Sequence, residues 1–334
     1  MDVIEQGNAK IISRYDPEEH RRWVLNNKSR GLEDKRMGIE EAVKKYVDDG
    51  AYLFLGFFGA PISTVGVYEV IRQSKKNLKI GRGGIFEMDV LIGAGLVEAV
   101  DRGYGGGFEV RGLSPLYRRY IESGNLKVYE WSNIAFAWRL KAGAMGVPFL
   151  PTRVMMGTDT FKFSAAKTVQ CPFTGMKVCL VPACFPDVTF VHVDRCDKYG
   201  NSQLDRISIM DVDAAKASRR VIITTEEVVE TDKIRTAPWR TSIPFYAVDA
   251  VVEAPWGAHP SNMPEKYYMD EEFVGEWMST SKTPEGTSAF LKKYVYGVKS
   301  FEEYLELIGG VKKLAFLKRL EELREPLPTP WKSG

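Results

Sequence analysis

The sequence predicts an α/β fold with an open, largely parallel sheet and flanking helices. Apolar runs of strand length end abruptly at glycine: residues 52–55 stop at Gly56-Phe57-Phe58-Gly59, and residues 78–80 at Gly81-Arg82-Gly83-Gly84. A helix-like segment, 64–73, lies between them, so strand, turn, helix, strand and turn read as one βαβ unit. Apolar runs and helical periodicities alternate along the rest of the chain, which is the pattern of parallel-sheet proteins.

The elements follow in order. Residues 1–36 are charged and poor in apolar positions and read as an N-terminal arm, packed on the surface or on a partner subunit. Asp16-Pro17-Glu18-Glu19 predicts a short helix in it, with Asp16 as N-cap and Pro17 in the first turn. Residues 38–49 carry Ile39, Ala42, Val43, Tyr46 and Val47 on one helical face, with Gly50 as the stop. A helix at 87–95, a strand at 97–100, a helix at 114–123 capped by Ser114, a strand at 126–130 and a helix at 133–143 come next. Two prolines keep 147–151 extended, and 161–175 reads as a long loop or hairpin. Strands buried on both faces are expected at 177–181 and 188–193, a helix at 211–217, a strand at 219–226, a helix at 232–236 and an apolar run at 245–253. A stiff loop, 254–260, precedes helices at 284–294 and 300–308, and Gly309-Gly310 breaks the chain before a basic tail to about 320.

Composition narrows the function classes. Hydrophobic residues at 44% and charged residues at 27% are ordinary for a globular protein, and a formal net charge of +2 gives no reason to expect nucleic acid or an acidic membrane. The basic pairs Arg21-Arg22, Arg118-Arg119 and Arg219-Arg220 read as solvated helix faces. No apolar leader occupies 1–36 and no 18-residue apolar window occurs, so the sequence reads as cytoplasmic. Cys171, Cys179, Cys184 and Cys196 form no CxxC pair and the chain has three histidines, which supports neither a metal site nor a disulfide framework. His192, inside an apolar strand, reads as a core residue. A GxSxG elbow and a P-loop lysine are both missing, so serine hydrolysis and phosphoryl transfer lack their signatures.

The two glycine turns carry the candidate chemistry. Without Cβ atoms the backbone can approach a ligand and aim N–H groups at a developing oxyanion. The same glycines equally suit tight strand-to-helix connections.

Several segments in order resemble the A (alpha) subunit of the family I CoA-transferases, glutaconate CoA-transferase in particular. They are residues 38–59, Tyr68-Glu-Val-Ile-Arg72, 88–95, 143–157, 186–193, 221–227, and Val248-Asp-Ala-Val-Val-Glu-Ala-Pro-Trp-Gly-Ala-His-Pro260. The tail, Ser281-Lys-Thr-Pro284 through Glu303-Tyr-Leu-Glu306, fits as well. The resemblance covers roughly residues 37–320, expected to be the α/β domain of the CoA-transferase superfamily, with the arm before it and a tail, 321–334, after it.

The resemblance implies an enzyme assembled with a homologous B (beta) subunit, as α2β2, that moves CoA between carboxylic acids. The acyl-CoA is attacked by a B-subunit glutamate, and a glutamyl-CoA thioester carries the CoA to the second acid. Coenzyme A is then a substrate, with no permanently bound cofactor and no metal. The nucleophile's position falls at Arg82 here, so this chain is expected to lack it; Glu87 on the next helix reads as structural. Gly56, Phe57, Phe58 and Gly59 are expected to form an oxyanion and water-excluding turn facing the partner's glutamate. Arg82, Gly83, Gly84, Arg111, Ser114, Trp256 and His259 are the candidate substrate-binding residues. Residues 104–114 match the pocket-lining segment of the family. Arg111 grips a substrate carboxylate or forms a surface salt bridge, and the loop carrying Trp256 and His259 serves the site or subunit packing. The apolar Ala60-Pro-Ile-Ser-Thr-Val65 replaces a polar stretch of the glutaconate type and points to a bulkier aromatic or alicyclic acid. Two alternatives remain: the A subunit of a ring-opening β-diketone acyl-CoA hydrolase of steroid degradation, and a non-catalytic scaffold subunit.

Overall fold

The computed structural model describes residues 2–57, 61–83, 86–105, 108 and 111–328. The arm contributes a strand, β1 (Val3–Gln6), and a helix, α1 (Pro17–Asn27), whose N-cap Asp16 accepts the Glu19 N–H at 2.7 Å. Helix α2 (Ile39–Tyr46) stops earlier than its periodicity predicts; Gly50, at φ +73°, serves the turn into the next strand instead of capping the helix. Strand and helix then alternate through β2 (Tyr52–Phe57), α3 (Thr64–Arg72), β3 (Leu78–Gly83), α4 (Phe86–Gly93), β4 (Val97–Arg102), α5 (Pro115–Glu122), β5 (Lys127–Glu130) and α6 (Asn133–Met145). An excursion follows through β6 (Phe149–Thr152), α7 (Asp159–Lys162), β7 (Lys167–Gln170) and β8 (Lys177–Pro182). The chain re-enters the main layer with β9 (Val188–Val193), passes β10 (Arg195–Cys196), β11 (Ser202–Gln203) and α8 (Asp211–Ala217), and continues with β12 (Arg220–Thr225), α9 (Thr231–Arg235), β13 (Thr241–Ile243) and β14 (Ala250–Glu253). Helices α10 (Glu271–Thr280), α11 (Pro284–Leu291), α12 (Phe301–Leu307) and α13 (Gly310–Glu321) close the described chain.

Among the described residues the strands form three sheets. The largest runs β14-β12-β9-β2-β3-β4-β5, and every neighbouring pair in it is parallel. Chain order proceeds outward from β2 in one direction and from β9 in the other, so the sheet reverses between these two strands. Crevices at such a switch point, outside the carboxyl ends of the strands, are where open α/β sheets hold ligands. Both central strands are buried at all six positions, as helices on both faces require. On one face the core carries an aromatic nest, Phe86, Phe273, Trp277, Phe290, Tyr294 and Tyr304, that docks the C-terminal helices on α3 and α4.

Four expectations are corrected. Residues 177–181 are not buried on both faces: β8 belongs to an antiparallel sheet, β1-β7-β8-β6, and its burial alternates because only one face meets the core. The run 245–253 opens with a 3₁₀ turn, Phe245–Ala247, and becomes a strand only at Ala250. Helix α11 gives way at Lys292 to a π-helical turn, Lys292–Tyr296. Arg219 directly precedes β12 and Arg220 opens it, so neither lies on a solvated helix face.

These two arginines show how the arm is held. Arg219 sits between the rings of Tyr15 (3.2 Å) and Trp23 (5.1 Å), and Arg220 between Trp23 (4.7 Å) and Tyr46 (5.3 Å), an alternating ladder of rings and guanidinium groups. Lys28 is buried against Asp249 at 2.9 Å, and Lys35 donates to the carbonyls of Phe245 (2.7 Å) and Val248 (2.8 Å). Burial presses both lysine pKa values below their ordinary range, with Asp249 opposing. The arm is therefore woven into its own chain's surface.

Candidate active site

The register between β2 and β3 sets the described parts of the two glycine segments, at the ends of these strands, beside each other. Phe54 pairs with Gly81 and Phe57 with Gly83, with an irregularity between them where Gly56 adopts φ +99°. That φ is strongly disfavoured for side-chain-bearing residues, which suits glycine there. The chain folds back at once: a Cβ on Gly56 would lie 3.5 Å from Ile62 Cγ1 and 3.9 Å from Asp211 Oδ1. Phe57 does not stand at an open mouth but is buried with Phe54, Trp131 and Phe136 in the second core cluster. Phe58, Gly59, Gly84 and the Arg82 side chain lie outside the described residues.

Behind the first turn, α3 points its N-terminus toward the carboxyl edge of the sheet. Ser63 caps it, accepting the Gly66 N–H at 3.3 Å. The loop after β14 grips the same turn: Val65 N–H donates to the Gly257 carbonyl at 3.1 Å, and Thr64 Oγ1 to the Ala258 carbonyl at 3.3 Å. Glu87 is fully buried beneath, accepting from Ser261 at 2.7 Å and sharing the Thr64 hydroxyl, at 3.3 Å, with the Ala258 carbonyl.

The loop itself is anchored by groups the sequence pattern does not single out. Glu226, just past β12, accepts the Trp256 N–H on both oxygens at 3.1 Å, the Tyr267 hydroxyl at 2.7 Å, and faces His192 Nε2 at 2.7 Å. Burial would raise its pKa, but these hydrogen bonds outweigh burial and hold it below the usual glutamate range. Trp256 has φ +64°, uncommon for a bulky residue, and its ring stacks on Tyr267 at 4.2 Å. The one sequence signal for Glu226 is the polar Glu226-Glu227 end of an otherwise apolar strand.

The remaining candidates divide clearly. His259 is buried between Tyr304 (2.6 Å, Nδ1) and Asp270 (3.0 Å, Nε2). Burial lowers its pKa against the pull of Asp270, so it is a neutral ring that ties the loop to α10 and α12. Ser114 caps α5, accepting the Tyr117 N–H at 3.0 Å and donating to Asp89, and is buried. Arg111 is engaged by Glu271, at 3.0 Å to the carboxylate and 2.7 Å to the carbonyl. These three residues hold elements together.

One strand further out, a cleft of about 280 Å³ opens at the carboxyl ends of β4 and β5, lined by Arg102, Tyr104, Trp131, Ser132, Asn133 and Thr160. Of the described residues of the segment 104–114, Tyr104 and Gly105 reach it. Its floor rests on a cluster that no local pattern announces: Asp101 is bound by Arg139 (2.8 Å), Tyr52 (2.6 Å) and Trp131 (2.6 Å), all buried.

Comparison with known proteins places this geometry. The family model described as coenzyme A transferase matches residues 36–254. The chain belongs to the coenzyme A transferase family. It is 33% identical over 298 residues, 83% of this chain and 93% of the relative, to the A subunit of glutaconate CoA-transferase from Acidaminococcus fermentans. The crystal structure of glutaconate coenzyme A-transferase from that organism superposes with a TM-score of 0.81 at 32% identity, covering 85% of this chain and 95% of that one. An uncharacterized protein of Archaeoglobus fulgidus is 50% identical over 99% of this chain and 75% of its own length. The chain is thus a coenzyme A transferase chain of the A-subunit type, and among its described residues no helix is long and apolar enough to cross a membrane.

Proposed function

We propose that this chain is the A subunit of a heteromeric CoA-transferase that moves CoA between carboxylic acids, with the nucleophilic glutamate supplied by a B subunit. The observation that supports the reading is the pairing of Phe57 with Gly83, which sets the ends of β2 and β3 side by side at the carboxyl edge next to the strand-order reversal. On this reading the partner's glutamate enters above the turns and attacks the thioester carbonyl. It displaces the CoA thiolate and forms an acyl-glutamyl anhydride. The thiolate then returns to the glutamyl carbonyl, releasing the first acid, and the second acid takes the CoA by the reverse sequence. Each addition places negative charge on a carbonyl oxygen, and the N–H groups of the Gly56 turn are the donors proposed for it. Position 82, where the resemblance puts the partner's nucleophile, holds an arginine, which stays protonated and cannot attack. The apolar residues 60–65 favour a bulky acyl group over a small dicarboxylate.

The test is co-expression with a B-type chain and assay of a panel of acyl-CoA donors and carboxylate acceptors. CoA exchange, with borohydride inactivation only after acyl-CoA treatment, supports the glutamyl-CoA route. A complex that transfers no CoA yet hydrolyses a cyclic diketone acyl-CoA refutes it in favour of the ring-opening reading. A fully active isolated chain refutes the external nucleophile.

A further inference from the structure

We infer that Glu226 and His192 form a positioning pair for this site: they set the first turn of α3, and through it the Gly56 turn, without touching substrate. The inference rests on the CoA-transfer reading only for its kinetic arm. Two hydrogen-bonded paths run from the pair to the same turn. On one, His192 Nδ1 meets Thr224 Oγ1 at 2.9 Å, and the Thr224 hydroxyl shares a 3.0 Å hydrogen bond with that of Ser63, the N-cap of α3. On the other, Glu226 fixes the Trp256 N–H, and the loop carries on to the Gly257 and Ala258 carbonyls that accept from Val65 and Thr64. The two paths cross the carboxyl edge from β12 and β9 to the end of β2, the stretch where the strand order reverses. The first turn of α3 is thus specified from both sides, and Ile62, packed over Gly56, passes that placement to the glycine turn.

Stability alone does not call for such a pair. Apolar side chains of similar volume commonly serve a buried site as well as or better than a buried ionisable pair. What a carboxylate adds is directional acceptance from three donors at once, which holds Trp256 at a positive φ it would otherwise leave. Glutamine at 226 keeps the shape but must turn its NH₂ toward at least one donor. Glutamine at 192 can still donate to Glu226 and gives up the ring's contact with Thr224.

The experiment uses the complex with its B subunit, comparing wild type, Glu226→Gln, His192→Gln and His192→Leu by kinetics, thermal unfolding and amide hydrogen exchange. Misplacing donors by an ångström costs on the order of a hundredfold in rate. Glu226→Gln and His192→Leu are therefore expected to lose about that factor in kcat, with KM for acyl-CoA within about twofold. His192→Gln should recover part of kcat. Exchange should quicken at residues 61–66 as well as 254–259, and by more than at residues remote from the two paths, whatever the unfolding midpoint does. Exchange that changes only at 254–259, or kcat unaltered in a folded Glu226→Gln complex, overturns the inference. If Glu226→Gln fails to fold, His192→Gln and His192→Leu decide by the same criteria. A wild-type complex inactive on every donor refutes the proposed function instead, and the exchange arm still decides the positioning claim.

Discussion

His20 offers a test of how the arm is held. It lies on α1, is 5% exposed, stacks on Phe185 at 4.6 Å, and neither ring nitrogen has a hydrogen-bond partner among the described residues. Burial, reinforced by the charges of Arg219 and Lys28, pushes its pKa down from 6.5 to about 4. Between those values the unfolded chain binds a proton that the folded chain refuses, so stability falls as pH falls through the window and levels off below about 4. The interval corresponds to about 3 kcal/mol in total, of which about 2 kcal/mol is lost between pH 7 and pH 4.5. Replacing His20→Phe keeps an aromatic ring against Phe185 and removes the titration. Urea unfolding of both chains at pH 7 and 4.5 is the assay, since other titrating groups cancel in the difference. The variant's advantage should grow by about 2 kcal/mol at the lower pH. An equal difference at both pH values, or a wild type that gains on the variant in acid, would refute the reasoning.

The other predictions concern separate links of the structure. Trp23→Ala removes the shared ring of the arginine ladder and should cost about 1–2 kcal/mol, seen as faster proteolysis within residues 1–36 before any global unfolding. Asp101→Asn leaves the Arg139 guanidinium uncompensated in the core and should cost about 3–5 kcal/mol by denaturant titration; a loss below about 1 kcal/mol would mean that Trp131, stacked 4.0 Å from that guanidinium, suffices as its partner. Gly56→Ala meets no steric clash, since Ile62 is at ordinary contact distance, so its cost of about 1–3 kcal/mol is conformational. It should depress CoA transfer by the complex far more than it lowers the unfolding midpoint.

The parts legible in the sequence were those written in local pattern. The apolar runs of β2 and β9, central and buried on both sides, announce themselves, as do the glycines at their neighbours' ends and the caps Asp16 and Ser114. What stayed hidden depends on contacts between distant residues. Strand β1 is exposed at all four positions and exists only through pairing with β7. Strand β8 looked doubly buried because its composition is apolar, while its antiparallel sheet exposes one face. Arg219 and Arg220 read as solvated because nothing nearby in sequence reveals that Tyr15, Trp23 and Tyr46 converge on them. The candidate residues met the same limit. Arg111 suits a substrate carboxylate or a salt bridge equally from its local sequence, and the Glu271 that engages it comes from α10, 160 residues away. Glu226 and His192 are separated by 34 residues and meet only because β12 and β9 are neighbours in the sheet.

Glu87 allows the division of labour in the proposed reaction to be tested from this chain's side. It lies just past the second glycine turn, near where an attacking carboxylate would stand. A nucleophile must present a lone pair to the thioester carbonyl. Glu87 is closed off from solvent, and one oxygen already accepts from Ser261 and Thr64. Those bonds tie α4 to the 254–261 loop and to α3, a tie that a glutamine carbonyl oxygen can keep. Glu87→Gln in the complex should therefore retain transfer within about tenfold of wild type, because acceptance at one oxygen is preserved. Removing a true covalent nucleophile costs about 10⁴-fold or more. Steady-state kinetics and borohydride trapping separate the two cases. A Glu87→Gln complex that loses transfer by that larger factor, with its fold intact by circular dichroism and its B subunit still bound, would place the covalent step on this chain and overturn the assignment of the glutamate to the partner.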